Sequence, residues 1–140
     1  MDRRAIIWLS IFLICAFLLP SCSQEPAGIK PNTLPTGSFD AVNYENESFR
    51  AVGWAADEED GSPVKKVTVY VDDKSIGDAK LGFDRPGVAT EMKQAKWGKS
   101  GWEIIANISL AKGIHVTYAV AMDKKGATSK LFHEKKFEAK

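Results

Sequence analysis

Val67-Thr68-Val69-Tyr70-Val71 decides the fold of this chain. Its valines recur at every second residue. An extended backbone therefore sets three β-branched side chains on one face and Thr68 and Tyr70 on the other. A helix would scatter the same residues around its circumference. Asp60-Gly61-Ser62-Pro63 stands before the stretch and Asp72-Asp73-Lys74 after it, so it reads as one short strand between two reversals.

The pattern repeats outward. Trp102, Ile104, Ala106 and Ile108 alternate with Glu103, Ile105, Asn107 and Ser109. Residues 115–123 form a further strand whose two faces are both fairly apolar, and 38–44, 48–56, 75–82 and 127–137 are strand-like. Lys112-Gly113 and Lys124-Lys125-Gly126 mark more turns. No window of a dozen residues carries a helical period, and residues 87–96 suit one or two helical turns at most. Seven short strands in about 100 residues predict an all-β fold, a β-sandwich of about seven antiparallel strands.

The segment ahead of this domain has a different chemistry. Arg3 and Arg4 precede an almost unbroken apolar run over 5–19, closed by Leu19-Pro20-Ser21-Cys22. A basic start, a short apolar stretch and small residues before a cut describe a secretory signal peptide. A permanent membrane helix is the alternative, but it needs about 20 apolar residues, and this run ends at Pro20. The segment resembles a bacterial lipoprotein signal, with Leu19 three residues before the cysteine and Ser21 directly before it. That resemblance implies cleavage after residue 21 and a diacylglycerol thioether on Cys22. It also implies a place in the cell envelope, and Ser23 in the next position points to the outer membrane. Two or three acyl chains hold a protein firmly where one is marginal. Residues 22–36, with three prolines and no hydrophobic period, read as the lipidated cysteine and a semi-extended tether. Residues 37–140 are the folded domain.

Once residues 1–21 are removed, 119 remain, with 17 basic and 17 acidic side chains. That balance gives no argument for nucleic acid or for acidic membranes as partners. Cys15 leaves with the signal and Cys22 is alkylated, so no disulfide is expected and stability must come from an apolar core.

Gly53-Trp54-Ala55-Ala56-Asp57, residues 67–73 and Arg85-Pro86-Gly87-Val88-Ala89 occur in that order. Gly101-Trp102, Gly113-Ile114-His115 and residues 121–126, Ala-Met-Asp-Lys-Lys-Gly, follow. Together they resemble the immunoglobulin-like domains of bacterial secreted and surface proteins, over residues 37 to about 132. The chain departs from that pattern at Gly87, where an Asp is usual, and at Asp73, where the turn usually has Gly. The resemblance implies an immunoglobulin-like sandwich and places Trp54 and Trp102 in or beside the core.

Candidate sites are few. Asp57, Glu58, Glu59 and Asp60 form an acidic turn before Gly61. Calcium takes six to eight oxygens, so Asp57 and Asp60, joined by Asp123 or Asp84 from neighbouring loops, are its candidate ligands. The turn lacks the D-x-D-x-D-G spacing, and a solvated acidic turn is the better reading of it. Zinc is poorly served, because His115 and His133 are the only histidines. No Gly-x-Ser-x-Gly elbow occurs, since Trp102 stands where Gly98-Lys99-Ser100-Gly101 would need its last glycine. His115 opens an apolar strand and reads as structural. Trp97 lies in the long polar segment from Arg85 to Ser100, flanked by Lys96 and Lys99. An exposed Trp there suits a sugar ring or a protein interface; the alternative is a ring folded back over the open edge of the sandwich.

The expectation is a lipid-anchored envelope protein that binds without catalysis. Its membrane contact is the lipid, no cofactor is implied apart from calcium, and its partner is a surface protein or a glycan met through Trp97, Arg85, Lys96 and Lys99. An accessory subunit of an envelope complex is the rival, favoured by a flat patch of Val116, Tyr118, Val120 and Met122. An enzyme or enzyme inhibitor with a loop-built site needs Asp57, Asp84 and His115 in one pocket.

Overall fold

The structure, a computed structural model, describes residue 28 and residues 30–140. The signal segment, Cys22, and tether residues 23–27 and 29 lie outside the described residues. Pro31–Lys140 is one compact unit. Its strands are β1 (Thr36–Glu45), β2 (Ser48–Ala56), β3 (Lys66–Val71), β4 (Lys74–Asp78) and β5 (Lys80–Phe83). They continue with β6 (Gly101–Asn107), β7 (Gly113–Met122), β8 (Thr128–Lys130) and β9 (Lys135–Ala139). Between β5 and β6 come a short helix α1 (Pro86–Glu91) and a 3-10 turn, Ala95–Trp97. One sheet runs β1-β2-β6-β5; the other runs β4-β3-β7, with β8 and β9 both on β7. Every strand pair is antiparallel.

The period-2 reading of β3 holds in space. Val67, Val69 and Val71 are buried while Thr68 and Tyr70 stand on the other face. One core cluster draws on both sheets, joining Phe39, Phe49, Ala51, Trp102 and Ile104 to the three valines, Ala119 and Ala121. Phe39 meets Trp102 edge to face at 5.3 Å, an arrangement that aromatic quadrupoles favour. Thr117 is wholly buried, and its hydroxyl donates to the Tyr70 carbonyl at 2.7 Å, which offsets its desolvation.

Two sequence-read strands are each divided. The 75–82 stretch becomes β4 in one sheet and β5 in the other. The chain crosses over at Ala79, whose N–H donates to the Val67 carbonyl at 2.8 Å. The 127–137 stretch becomes β8 and β9. Between them Leu131 still donates to the Ala119 carbonyl of β7, and Phe132 turns to β1: its N–H donates to the Gly37 carbonyl at 3.0 Å, and Phe39 donates to the Phe132 carbonyl at 2.9 Å. His133 then takes φ +67° as the chain turns back to β7.

The tether is shorter than its prolines suggest. β1 begins at Thr36 and Pro35 is buried. Asn32 donates to the Asp123 carboxylate at 2.6 Å, Thr33 N–H donates to Glu59 at 3.0 Å, and Ser129 donates to the Pro35 carbonyl. Polar side chains on two loops and on β8 thus bind a segment whose composition alone reads as free.

Strand register fixes the two ends of the unit. Thr36 pairs with Ala56, Trp54 with Gly101 and Lys66 with Met122, which places residues 32–36, 57–65, 84–100 and 123–127 at what we call the upper end. The turns at 46–47 and 72–73, the 108–112 segment and the chain end after β9 form the lower end.

Candidate binding surfaces

The 84–100 segment caps the upper end, and its polar groups are spent on the domain itself. Trp97 is 7% exposed. Its indole N–H donates to the Asp57 carbonyl at 3.1 Å, and its ring tilts against Trp54 at 6.0 Å between centroids. Of the two readings of Trp97, the folded-back ring is the one found and the exposed platform is not, because the carbonyl just after β2 supplies a partner for the indole. Lys96 reaches the Glu58 carbonyl, and Arg85 spans Asp40 at 2.7 Å and the Gly53 carbonyl at 3.3 Å. Lys99 pairs with Asp84 at 2.7 Å, with both side chains largely in water. Trp97, Arg85, Lys96 and Lys99 belong to one segment, in which Trp97 is buried and each of the three cations is held by a neighbouring carbonyl or carboxylate.

Asp57 and Asp123 are buried, and each holds its own loop. Asp57 Oδ1 accepts the N–H groups of Glu59 and Asp60, at 3.0 and 2.8 Å. Asp123 Oδ1 accepts those of Lys125 and Ala127, at 2.9 and 2.8 Å. Burial pushes the Asp123 carboxyl up, but the Asn32 amide and these N–H groups outweigh it and hold the group below its ordinary value. The Thr33 hydroxyl bond likewise lowers Glu59. Asp57 Oδ2 and Asp60 Oδ2 are buried without a partner. Among the described residues, no three Asp, Glu, His or Cys side chains converge to hold a metal, so Asp57, Asp60 and Asp123 do not form the expected calcium cluster.

His115 stands at the opposite end from Asp57 and Asp84, so those three share no pocket. Its ring nitrogens meet Asp72 Oδ2 at 2.5 Å and the Ala111 carbonyl at 2.7 Å. Two acceptors on one imidazole favour the doubly protonated ring and raise its pKa. His133 meets the Ser38 hydroxyl at 3.1 Å and has the Phe132 ring beside it, 6.4 Å between centroids.

The outer face of the β4-β3-β7 sheet is organised differently. Val116, Tyr118, Val120 and Met122 alternate with buried Thr117, Ala119 and Ala121, and all four are half-exposed. Register sets Val120 opposite Thr68 and Tyr118 opposite Tyr70. The two tyrosine rings stack at 5.0 Å and 7°, Lys130 Nζ lies 4.3 Å from the Tyr118 ring centre, and the Tyr118 hydroxyl donates to Asp73 at 3.1 Å. The row itself is legible as alternation along β7. The tyrosine stack is not, since it depends on register between strands nearly fifty residues apart.

No protein-family model and no curated protein matches the chain. Among solved structures it is similar to a family 28 exopolygalacturonase of Yersinia enterocolitica, at 14% identity and a TM-score of 0.34. The match covers 79% of this chain and 20% of that one. A likeness of that degree carries no argument about fold or activity.

Proposed function

We propose that the chain is a lipid-anchored cell-envelope protein whose immunoglobulin-like sandwich binds another envelope protein without catalysis. The signal pattern ending at Cys22 supports the anchor. Strand order supports the fold family: β1-β2-β6-β5 follows the A-B-E-D order of immunoglobulin sheets, and β3-β7 with β8 and β9 follows C-F-G. The observation that carries the binding reading is the half-exposed row of Val116, Tyr118, Val120 and Met122 beside Tyr70. Aromatic and aliphatic side chains on a rigid sheet lose little entropy on association, and tyrosine is enriched at interfaces. Burial of Trp97 removes the main argument for a sugar platform, so a protein partner is the better reading.

The test is photocrosslinking in native envelopes. A photoreactive residue at Val120 should give a discrete adduct that Tyr118→Ala weakens. The same probe at Ile105, exposed on the outer face of the other sheet, should give none. Equal labelling from both positions would sink the assignment of the face.

A further inference from the structure

We infer that the upper end of the sandwich lies against the bilayer–water interface, with the exposed apolar side chains of that end inserted among the headgroups. The inference rests on the lipid-anchor reading of Cys22. Contacts of Asn32, Thr33 and Pro35 with Asp123, Glu59 and Ser129 of β8 hold the incoming chain at the upper end. Only the nine residues 23–31 then separate the domain from Cys22. At a polyproline-like rise of about 3.1 Å per residue they reach roughly 28 Å at full extension and less when relaxed.

The surface chemistry of that end fits such proximity. Six large apolar side chains of the described unit are exposed, and four of them, Leu34, Phe83, Met92 and Phe132, lie towards the upper end, with Phe132 beside β1 and Phe83 on β5 at the opposite sheet edge. Helix α1, also at that end, buries none of its residues fully. Lys65, Lys93, Lys124 and Lys125 are exposed at the same end. Long basic side chains can lay their methylenes on an apolar surface and keep the ammonium among headgroups. Glu58, Asp84 and Glu91 are exposed at the same end, so the charge is mixed. The attraction is therefore interfacial insertion rather than binding to anionic lipid. Single exposed apolar residues are ordinary on a protein surface; that four of the six lie spread across the end where the anchored chain arrives is what selects the bilayer as occupant. The outer sheet face with Tyr118 then stands upright from the membrane, open to a neighbour.

The experiment uses residues 22–140, which contain the whole compact unit and Cys22 as the sole cysteine. Cys22 is coupled to a maleimide lipid in zwitterionic nanodiscs carrying a headgroup spin label, and amide signals are compared with those from unlabelled discs. The amides of residues 34, 83, 92, 124 and 132 should be broadened several-fold more than those of 46, 73, 112 and 139. Met92→Ser with Phe132→Ser, both exposed positions, should erase the contrast while leaving the uncoupled spectrum folded. Uniform broadening, or broadening centred on the lower end, would overturn the docking. Chemical coupling supplies the anchor here, so such a failure counts against the docking alone. The acylation of Cys22 is judged separately by mass.

Discussion

The indole of Trp102 closes over Gly53. A Cβ on residue 53 would come within 2.6 Å of Trp102 Cε2 and overlap the Ser38 carbonyl oxygen. Backbone on one side and a core ring on the other leave nothing that can yield cheaply. Gly53→Ala should therefore cost about 3 kcal/mol, read as a lower urea midpoint with an unchanged slope. A variant as stable as the parent would mean that β1, β2 and β6 are not in this register.

The Trp97 plug is tested by stability rather than by binding. Trp97→Ala removes a buried ring and its bond to the Asp57 carbonyl, and should cost about 3 kcal/mol. Trp97→Phe should recover most of that. A change below about 1 kcal/mol for Trp97→Ala would fit a ring standing in solvent.

The His115–Asp72 pair gives stability a pH window. The Asp72 hydrogen bond, then the Ala111 carbonyl, raise the His115 pKa above its ordinary 6.5. Its contribution is thus fully present below about 6.5 and is lost as pH rises through the higher folded value. The Val116 N–H, then His115, lower Asp72 below its ordinary 3.8, with Lys74 adding to the effect. That contribution is present above the ordinary value and lost as pH falls through the folded one. The urea midpoint of the parent should exceed that of His115→Gln by more at pH 5.5 than at pH 9. An equal difference at both would contradict a charged pair.

Asp72 and Asp73 hold φ of +47° and +64°, the left-handed region that a two-residue hairpin turn demands and glycine prefers. Asp73→Gly relieves the second position and loses an exposed bond from the Tyr118 hydroxyl. The net expectation is a gain of about 0.5 kcal/mol, seen as a small rise in melting temperature. A clear fall would show that the Tyr118 contact outweighs the backbone strain.

Local periodicity carried most of the fold. Val67, Val69 and Val71, and Trp102 with Ile104, were legible because alternation along one strand determines which face is buried. The division of 75–82 between sheets was not, because it follows from a non-local bond between Ala79 and Val67. The same holds for Asn32 and Thr33, whose partners Asp123 and Glu59 lie 91 and 26 residues away. A Trp97 ring folded back over the sandwich edge was one of the two readings open from sequence, but the partner that draws the indole inward, the Asp57 carbonyl forty residues away, was not legible. Side-chain destinations across loops depend on tertiary geometry, and composition does not encode that directly.

The most direct test of the envelope assignment is the mass of the mature N-terminus from native membranes, together with detergent phase partitioning. The expected result is a terminal peptide beginning at Cys22 and carrying a diacylglycerol with two or three acyl chains, with Cys22→Ala moving the protein to the aqueous phase. An unmodified terminus at another position, or an intact chain retaining residues 1–21, would contradict the lipid anchor and the membrane orientation built on it.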